Sequence, residues 1–154
     1  MDTARLISAL SSAAERDSSV IATLRRSLAF DPGAFAPAFP YLEPIVGNQP
    51  EFRRKPAYLV AGLWAFCQRR VTDTSNSVSL ASALRRVSSQ RSSKSIEKRF
   101  VALLDSDEDE LPWRLRQSIS IIAADSIPIN WAGLLDDLLR WSHPDRFIQK
   151  RWAR

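Results

Sequence analysis

Apolar residues recur along this chain at spacings of three and four, the period of helix faces turned toward a core. The Val, Ile and Thr alternation that marks strands is nearly absent. The first stretch, Thr3 to about Arg16, puts Leu6, Ile7 and Leu10 on one side. Asp17-Ser18-Ser19 offers N-cap oxygens. A second helix follows with Ile21, Leu24 and Leu28 inward and Arg25 and Arg26 beside that stripe. Asp31-Pro32-Gly33 ends it with a turn. Residues 34 to 56 hold Pro37, Pro40, Pro44, Pro50 and Pro56, which predicts a mostly irregular flap with at most a short helical turn near Tyr41 to Val46. Its Phe35, Phe39, Tyr41 and Phe52 are expected to cover the core.

Pro56 suits the first turn of a helix, predicted over Ala57 to Arg70 and apolar on nearly every side, as a central helix is. Val71 to Val78 is mostly polar and reads as a loop joining two halves. Ser79 caps a helix over Leu80 to Ser88, with Leu80, Leu84 and Val87 inward and Arg85 and Arg86 flanking them. A Ser-rich loop leads to Ser95, which caps Ile96 to Leu104. Pro112 marks the next start, with Leu111, Leu115, Ile119 and Ile122 as its stripe. Asn130 caps Trp131 to Trp141, and His143-Pro144-Asp145 restarts the chain into a last helix, Arg146 to Arg154. Seven or eight helices and no internal repeat give an all-α fold of two small helical bundles packed as one compact unit. The expected division is an N-terminal subdomain with the Pro-rich flap, 1–76, and a C-terminal subdomain, 77–154.

With 154 residues, 45% of them hydrophobic, the chain can bury a sizeable core. Its most apolar stretch, Ala57 to Cys67, is interrupted by Gly62 and falls short of the roughly 20 residues that span a bilayer. Met1 to Ala14 lacks the continuous apolar segment of a secretory signal. A soluble, cytoplasmic protein without membrane contact is expected. The single Cys67 excludes an internal disulfide and reads as a small buried hydrophobe.

Charge changes the picture. There are 22 Lys plus Arg against 17 Asp plus Glu. Five of the acids, Asp105, Asp107, Glu108, Asp109 and Glu110, lie in one short run, and without them the remainder carries a net of +10. The basic set is 18 Arg to 4 Lys, and Arg presents a planar fork that suits phosphate. A GC-rich genome accounts for part of that ratio but not for the net charge.

The usual catalytic constellations are missing. One His and one Cys, far apart, make a zinc site improbable. Four Gly, at 33, 47, 62 and 133, form neither a phosphate loop nor a dinucleotide fingerprint. His143 precedes Pro144 at a helix junction, where a structural role is commoner than a triad role. The acidic run is better explained as a solvated stretch favouring the positive end of a helix dipole than as a magnesium site; a contact with a basic partner is a third reading. Neither cofactor nor metal is expected. Trp64, Trp131 and Trp141 sit on inward stripes, leaving Trp113 and Trp152 as candidates to stack on bases.

The functional signal is the set of basic clusters: Arg25-Arg26, Arg53-Arg54-Lys55, Arg85-Arg86, Arg91/Lys94/Lys98-Arg99, Arg114/Arg116 and Arg146/Lys150/Arg151. Each lies beside or between apolar positions, so the charged heads project from helix flanks. Cations that neutralise phosphates release counterions and give sequence-independent affinity.

The order of motifs in the second half carries more. Ser79-Leu80-Ala81-Ser82-Ala83-Leu84-Arg85-Arg86 is followed by Ser95-Ile96-Glu97-Lys98-Arg99-Phe100-Val101-Ala102-Leu103-Leu104-Asp105. Leu111-Pro112-Trp113-Arg114-Leu115-Arg116-Gln117, Ile129-Asn130-Trp131-Ala132-Gly133-Leu134-Leu135 and Leu138-Leu139-Arg140-Trp141 come next. This order resembles the CasB family, the small subunit of the type I-E CRISPR surveillance complex called Cascade. The first half agrees more loosely, through Thr23-Leu24-Arg25-Arg26 and Tyr58-Leu59-Val60-Ala61-Gly62-Leu63. The ordered set carries the resemblance, strongly from about residue 79 onward. Family members often have Gly where this chain has Ala81, which a helix tolerates, and usually continue past Trp152-Ala153-Arg154.

The resemblance implies a non-catalytic subunit of an antiviral, RNA-guided surveillance complex. A second copy of the chain, the large subunit and the guide-RNA-bound backbone subunits would be its protein partners. DNA would be its ligand, with basic residues holding the backbones of the target and displaced non-target strands and so stabilising the R-loop. In RNA-guided recognition of the Cas9 type, base pairing reads sequence while protein grips backbone, a division carried over here by analogy. By matched position the resemblance points to Arg25, Arg26, Lys98, Arg99 and Arg116; Arg53, Arg54, Lys55, Arg85, Arg86, Arg146 and Arg151 rest on charge alone. Two other readings stay open: a generic helical DNA-binding regulator with a recognition helix, and a protein–protein scaffold whose basic clusters meet acidic partners.

Overall fold

Asp2 opens α1 (Thr3–Arg16) by accepting a hydrogen bond from the Arg5 N–H at 3.0 Å, satisfying one of the donors a helix start leaves unpaired. The computed structural model describes all 154 residues, and every regular element in it is helical. After α1 come α2 (Ser19–Arg26), α3 (Phe39–Val46), α4 (Glu51–Cys67), α5 (Leu80–Arg91) and α6 (Lys94–Leu104). The chain ends with α7 (Leu111–Ala124), α8 (Trp131–Leu138) and α9 (Phe147–Ala153). The all-α class read from the hydrophobic period is the fold observed.

The proline-rich stretch differs from its expectation. Residues 34–56 hold a 3-10 turn, Ala36–Ala38, then all of α3 and the first turns of α4. Three of the five prolines fall where a helix can take them, while Pro44 lies inside α3 and Pro56 inside α4. Pro37 and Pro40 sit in first turns, and Pro50 is the extended residue just before α4. Pro56 lies inside α4 rather than at its start, and the donor it removes is the one the carbonyl of the exposed Phe52 would accept. Arg53, Arg54 and Lys55 therefore stand on a helix, and Phe52, expected to cover the core, is 59% exposed.

The Ser-rich stretch also differs. α5 runs on to Arg91, then Ser92 turns in the left-handed region (φ 48°) while the Ser93 N–H closes on the Ser88 carbonyl at 3.2 Å. Ser93, not Ser95, caps α6, accepting from the Ile96 N–H at 3.2 Å.

The chain forms two compact units, Met1–Gln68 with Trp131–Leu139, and Arg69–Asn130 with Arg140–Arg154. They are not the contiguous halves 1–76 and 77–154, because α8 belongs with the first unit. There α2 packs on α4, and α8 packs on both α1 and α4. Leu6, Leu10, Leu24, Leu42, Leu63 and Leu135 are buried in it. In the second unit α5, α6 and α7 pack on one another and α9 packs on α6. Its buried residues include Leu84, Leu103, Leu115, Ile119 and Ile122. A parallel bridge pairs Val78 with Ile129, the Asn130 N–H reaching the Val78 carbonyl at 2.8 Å, which ties the entry of α5 to the exit of α7. α8 stops at Leu138, short of Trp141, whose indole N–H donates to the Ser106 carbonyl at 3.1 Å within the second unit.

Candidate nucleic-acid interface

In the first unit the last turn of α2 buries Thr23 and Leu24, which leaves Arg25 half-buried on the flank and Arg26 exposed. Arg26 reaches only the Thr23 hydroxyl, at 3.4 Å. The second basic group of this unit lies at the start of α4. The 3-10 turn Ser27–Ala29 that follows α2 approaches α4 at Gly62, eight residues past Arg54, about 12 Å along a helix.

The three consecutive cations of α4 have different surroundings. Arg54 is committed internally: it donates to a Glu43 carboxylate oxygen and to the Gly47 carbonyl, and lies 3.5 Å from a Glu51 oxygen. Tyr58 donates to the other Glu43 oxygen at 2.8 Å. Burial pushes the Glu43 carboxyl up, but the hydrogen bonds from Arg54 and Tyr58 and the Arg54 charge outweigh it and hold the group below its ordinary value. Burial first, then the bond to Glu43, pushes the Tyr58 phenol up. Arg53, by contrast, lies over the Phe52 ring, 5.7 Å from its centroid, and Lys55 is exposed; neither has an acidic partner.

In the second unit two arginines hold helices together. Arg85 donates to the Trp152 carbonyl at the end of α9 and lies 6.0 Å from the Phe100 ring centroid. Arg146 holds the left-handed position before α9 (φ 52°) and donates to the Leu104 carbonyl at 2.6 Å. These carbonyls are helix-end acceptors that would otherwise lack a donor. Arg86, Lys98, Arg99 and Arg116 are exposed without an acidic partner. Arg91 pairs with Asp125, Arg114 pairs with Glu110 at 3.2 Å, and Arg151 is exposed on α9.

Of the twelve basic residues picked from sequence, Arg54, Arg85 and Arg146 thus serve internal packing. Arg25, Arg26, Arg53, Lys55, Arg86, Lys98, Arg99 and Arg116 present charge that no internal acid neutralises. Trp113 is 60% exposed, whereas Trp152 is buried against Trp141, ring centroids 5.0 Å apart, so it offers no surface for a base. His143 is a turn residue: its Nδ1 accepts from the Asp145 N–H at 3.2 Å and its ring meets Phe147 edge-on. In the acidic run, Asp107 accepts from the Glu110 N–H at 2.9 Å and Glu108 from the Ser142 hydroxyl. No group of three His, Cys, Asp or Glu gathers to hold a metal ion, and no helix is long and apolar enough to cross a membrane. Phe52 is expected to cover the core only if the helix starts near Pro56; α4 starts at Glu51, directly after Pro50, and carries Phe52 on its exposed side.

Fold and surface together define an all-α protein with uncompensated cations on both of its units. The family model for CRISPR-associated protein Cse2 matches residues 20–154. A CRISPR-associated protein Cse2 from Thermus thermophilus is 43% identical over 135 residues, covering 86% of this chain and 75% of the relative. The crystal structure of a Cse2-family protein from Thermus thermophilus superposes with a TM-score of 0.86 at 39% identity, covering 99% of this chain and 95% of the other. A chain of a CRISPR RNA-guided surveillance complex shares the fold, with a TM-score of 0.82 at 22% identity, over 99% of this chain and 89% of that one. The chain belongs to the Cse2 family, also called CasB.

Proposed function

We propose that this protein is a non-catalytic small subunit of a CRISPR RNA-guided surveillance complex, and that it stabilises the R-loop by holding the backbones of the target and displaced DNA strands. The observation that carries the reading is the set of cations without an internal acidic partner, Arg25 and Arg26 on α2 and Lys98 and Arg99 on α6 foremost, in a chain of the Cse2 family. Membership supports a place beside the large subunit, the guide-RNA-bound backbone subunits and a second copy of the chain. Strand exchange between guide and target is close to balanced in energy, so a few charge contacts are enough to tip it toward the open state. No reaction is asked of the protein: backbones are held by charge, and bases are read by pairing.

The test is joint charge reversal, Arg25→Glu, Arg26→Glu, Lys98→Glu and Arg99→Glu, in the assembled complex. R-loop lifetime should shorten. Strand affinity should fall and depend less steeply on salt, since each lost phosphate contact removes about 0.7 to 0.9 from the slope of log affinity against log salt. Unchanged affinity, slope and lifetime would remove these contacts from the proposal. Strong preference of the isolated protein for one duplex sequence would point instead to a sequence-reading regulator.

A further inference from the structure

Phe52 stands 59% exposed at the start of α4. A single exposed apolar side chain is ordinary on a protein surface, and what sets this one apart is its company. Both nearby acids, Glu43 and Glu51, are drawn to Arg54. Arg53 and Lys55 on either side of it have no acidic partner of their own, and the two acids with the three cations leave a net charge of +1. Arg53 lies over the Phe52 ring at 5.7 Å, and Lys55, three residues on, shares the Phe52 side of the helix. Of the other exposed aromatics, Phe30 is stacked on Phe35 with ring centroids 4.9 Å apart and Phe147 meets His143 edge-on. Trp113, 60% exposed, has the opposite setting to Phe52: its Arg114 is paired with Glu110, and Asp105, Asp107, Glu108 and Asp109 precede it. A polyanion is attracted to the first site and repelled by the acids around the second.

We infer that the Phe52 ring is a stacking platform for an unpaired base of single-stranded nucleic acid, with Arg53 and Lys55 on the phosphates beside that base. The inference rests on the strand-holding reading above and adds a term that charge does not supply. Stacking requires an open base face, so it separates a displaced single strand from a paired duplex. The guanidinium of Arg53 is planar and can swing from the ring to a phosphate as a base takes its place. A phenyl ring accepts any base, which suits a protein that does not read sequence.

The experiment measures fluorescence anisotropy of the full-length protein with labelled oligothymidine and with an abasic strand of equal length and charge. Phe52→Ala should weaken oligothymidine binding at least about fivefold, the lower end of what one stacked base contributes. It should leave the abasic strand and the salt slope unchanged. Phe52→Tyr, which keeps a ring, should retain the oligothymidine affinity. Equal loss on both strands, or no loss on either, overturns the platform and leaves the charge contacts standing; the second result fits a protein contact at Phe52. A larger base-dependent loss for Trp113→Ala than for Phe52→Ala also overturns it. Wild-type protein and complex that bind neither strand would sink the strand-holding reading together with this one.

Discussion

Glu43 receives hydrogen bonds from two residues of the next helix, Arg54 and Tyr58, and this cluster closes the corner between α3 and α4. Sequence shows Arg53-Arg54-Lys55 as three equal charges, because the residue that singles out Arg54 lies eleven positions away and only the folded corner brings it near. Cationic identity was legible; commitment was not. The cluster gives stability opposite pH dependences at its two ends. The Glu43 carboxyl is held below its ordinary value, so what it adds is complete above the unfolded value of about 4.3 and lost as pH falls through the folded one. The Tyr58 phenol is raised, so its contribution is complete below about pH 10 and lost as pH climbs through the folded value. Glu43→Gln should cost about 1 kcal/mol at neutral pH, a modest figure because the carboxylate is 36% exposed, and should flatten the acid limb. Tyr58→Phe should flatten the alkaline limb and leave the acid limb's position little changed. Urea midpoints measured across pH check both signs.

At the scale of elements, the apolar period located most helices and failed where breaker residues were read too literally. Five prolines suggested an irregular flap, yet helix starts tolerate proline: the 3-10 turn and the starts of α3 and α4 take Pro37, Pro40 and Pro50, and Pro44 and Pro56 lie inside the two helices. Serines suggested a loop through residues 88–95, yet α5 takes in Ser88 and Ser89 before Ser92 turns left-handed, and Ser93 caps α6. Gly62 posed the reverse problem, a flexible residue in the middle of the central helix. Its reason is the close approach of the 3-10 turn Ser27–Ala29, which follows α2, to α4. A Cβ there would stand 2.7 Å from Leu28 Cδ2, 3.0 Å from Leu28 Cγ and 3.1 Å from the Ser27 hydroxyl oxygen. Gly62→Val adds two further methyls to that space and should lower stability by about 2 kcal/mol, the usual cost of overpacking a filled core. Leu28→Ala in the same chain should recover part of the loss, where two independent substitutions would simply add. A Gly62→Val protein as stable as the parent would show that this approach has slack the geometry does not suggest.

At the scale of the whole molecule, inward and outward faces were readable, but not which core an inward face joins. α8 follows α7 in sequence yet buries Leu134, Leu135 and Leu138 in the unit built from α1 to α4. Thr3 fastens that arrangement, donating from its hydroxyl to Asp136 at 2.9 Å. Helical spacing in Trp131–Trp141 is the same whichever unit receives it, and the chain division at residue 76 looked natural because the linker there is polar. The consequence is thermodynamic. A fragment ending at residue 76 forfeits three buried leucines, each worth about 1.5–3 kcal/mol of transfer free energy, and exposes the surfaces of α1 and α4 that met them. That sum is on the order of the entire stability of a small domain, about 5–15 kcal/mol. The fragment 1–76 should therefore melt without a cooperative transition when followed by circular dichroism. The same fragment joined through a flexible linker to residues 131–139 should regain a sigmoidal melt. If residues 1–76 alone melted as sharply as the joined form, α8 would be an accessory to the first unit, not a constituent of its core.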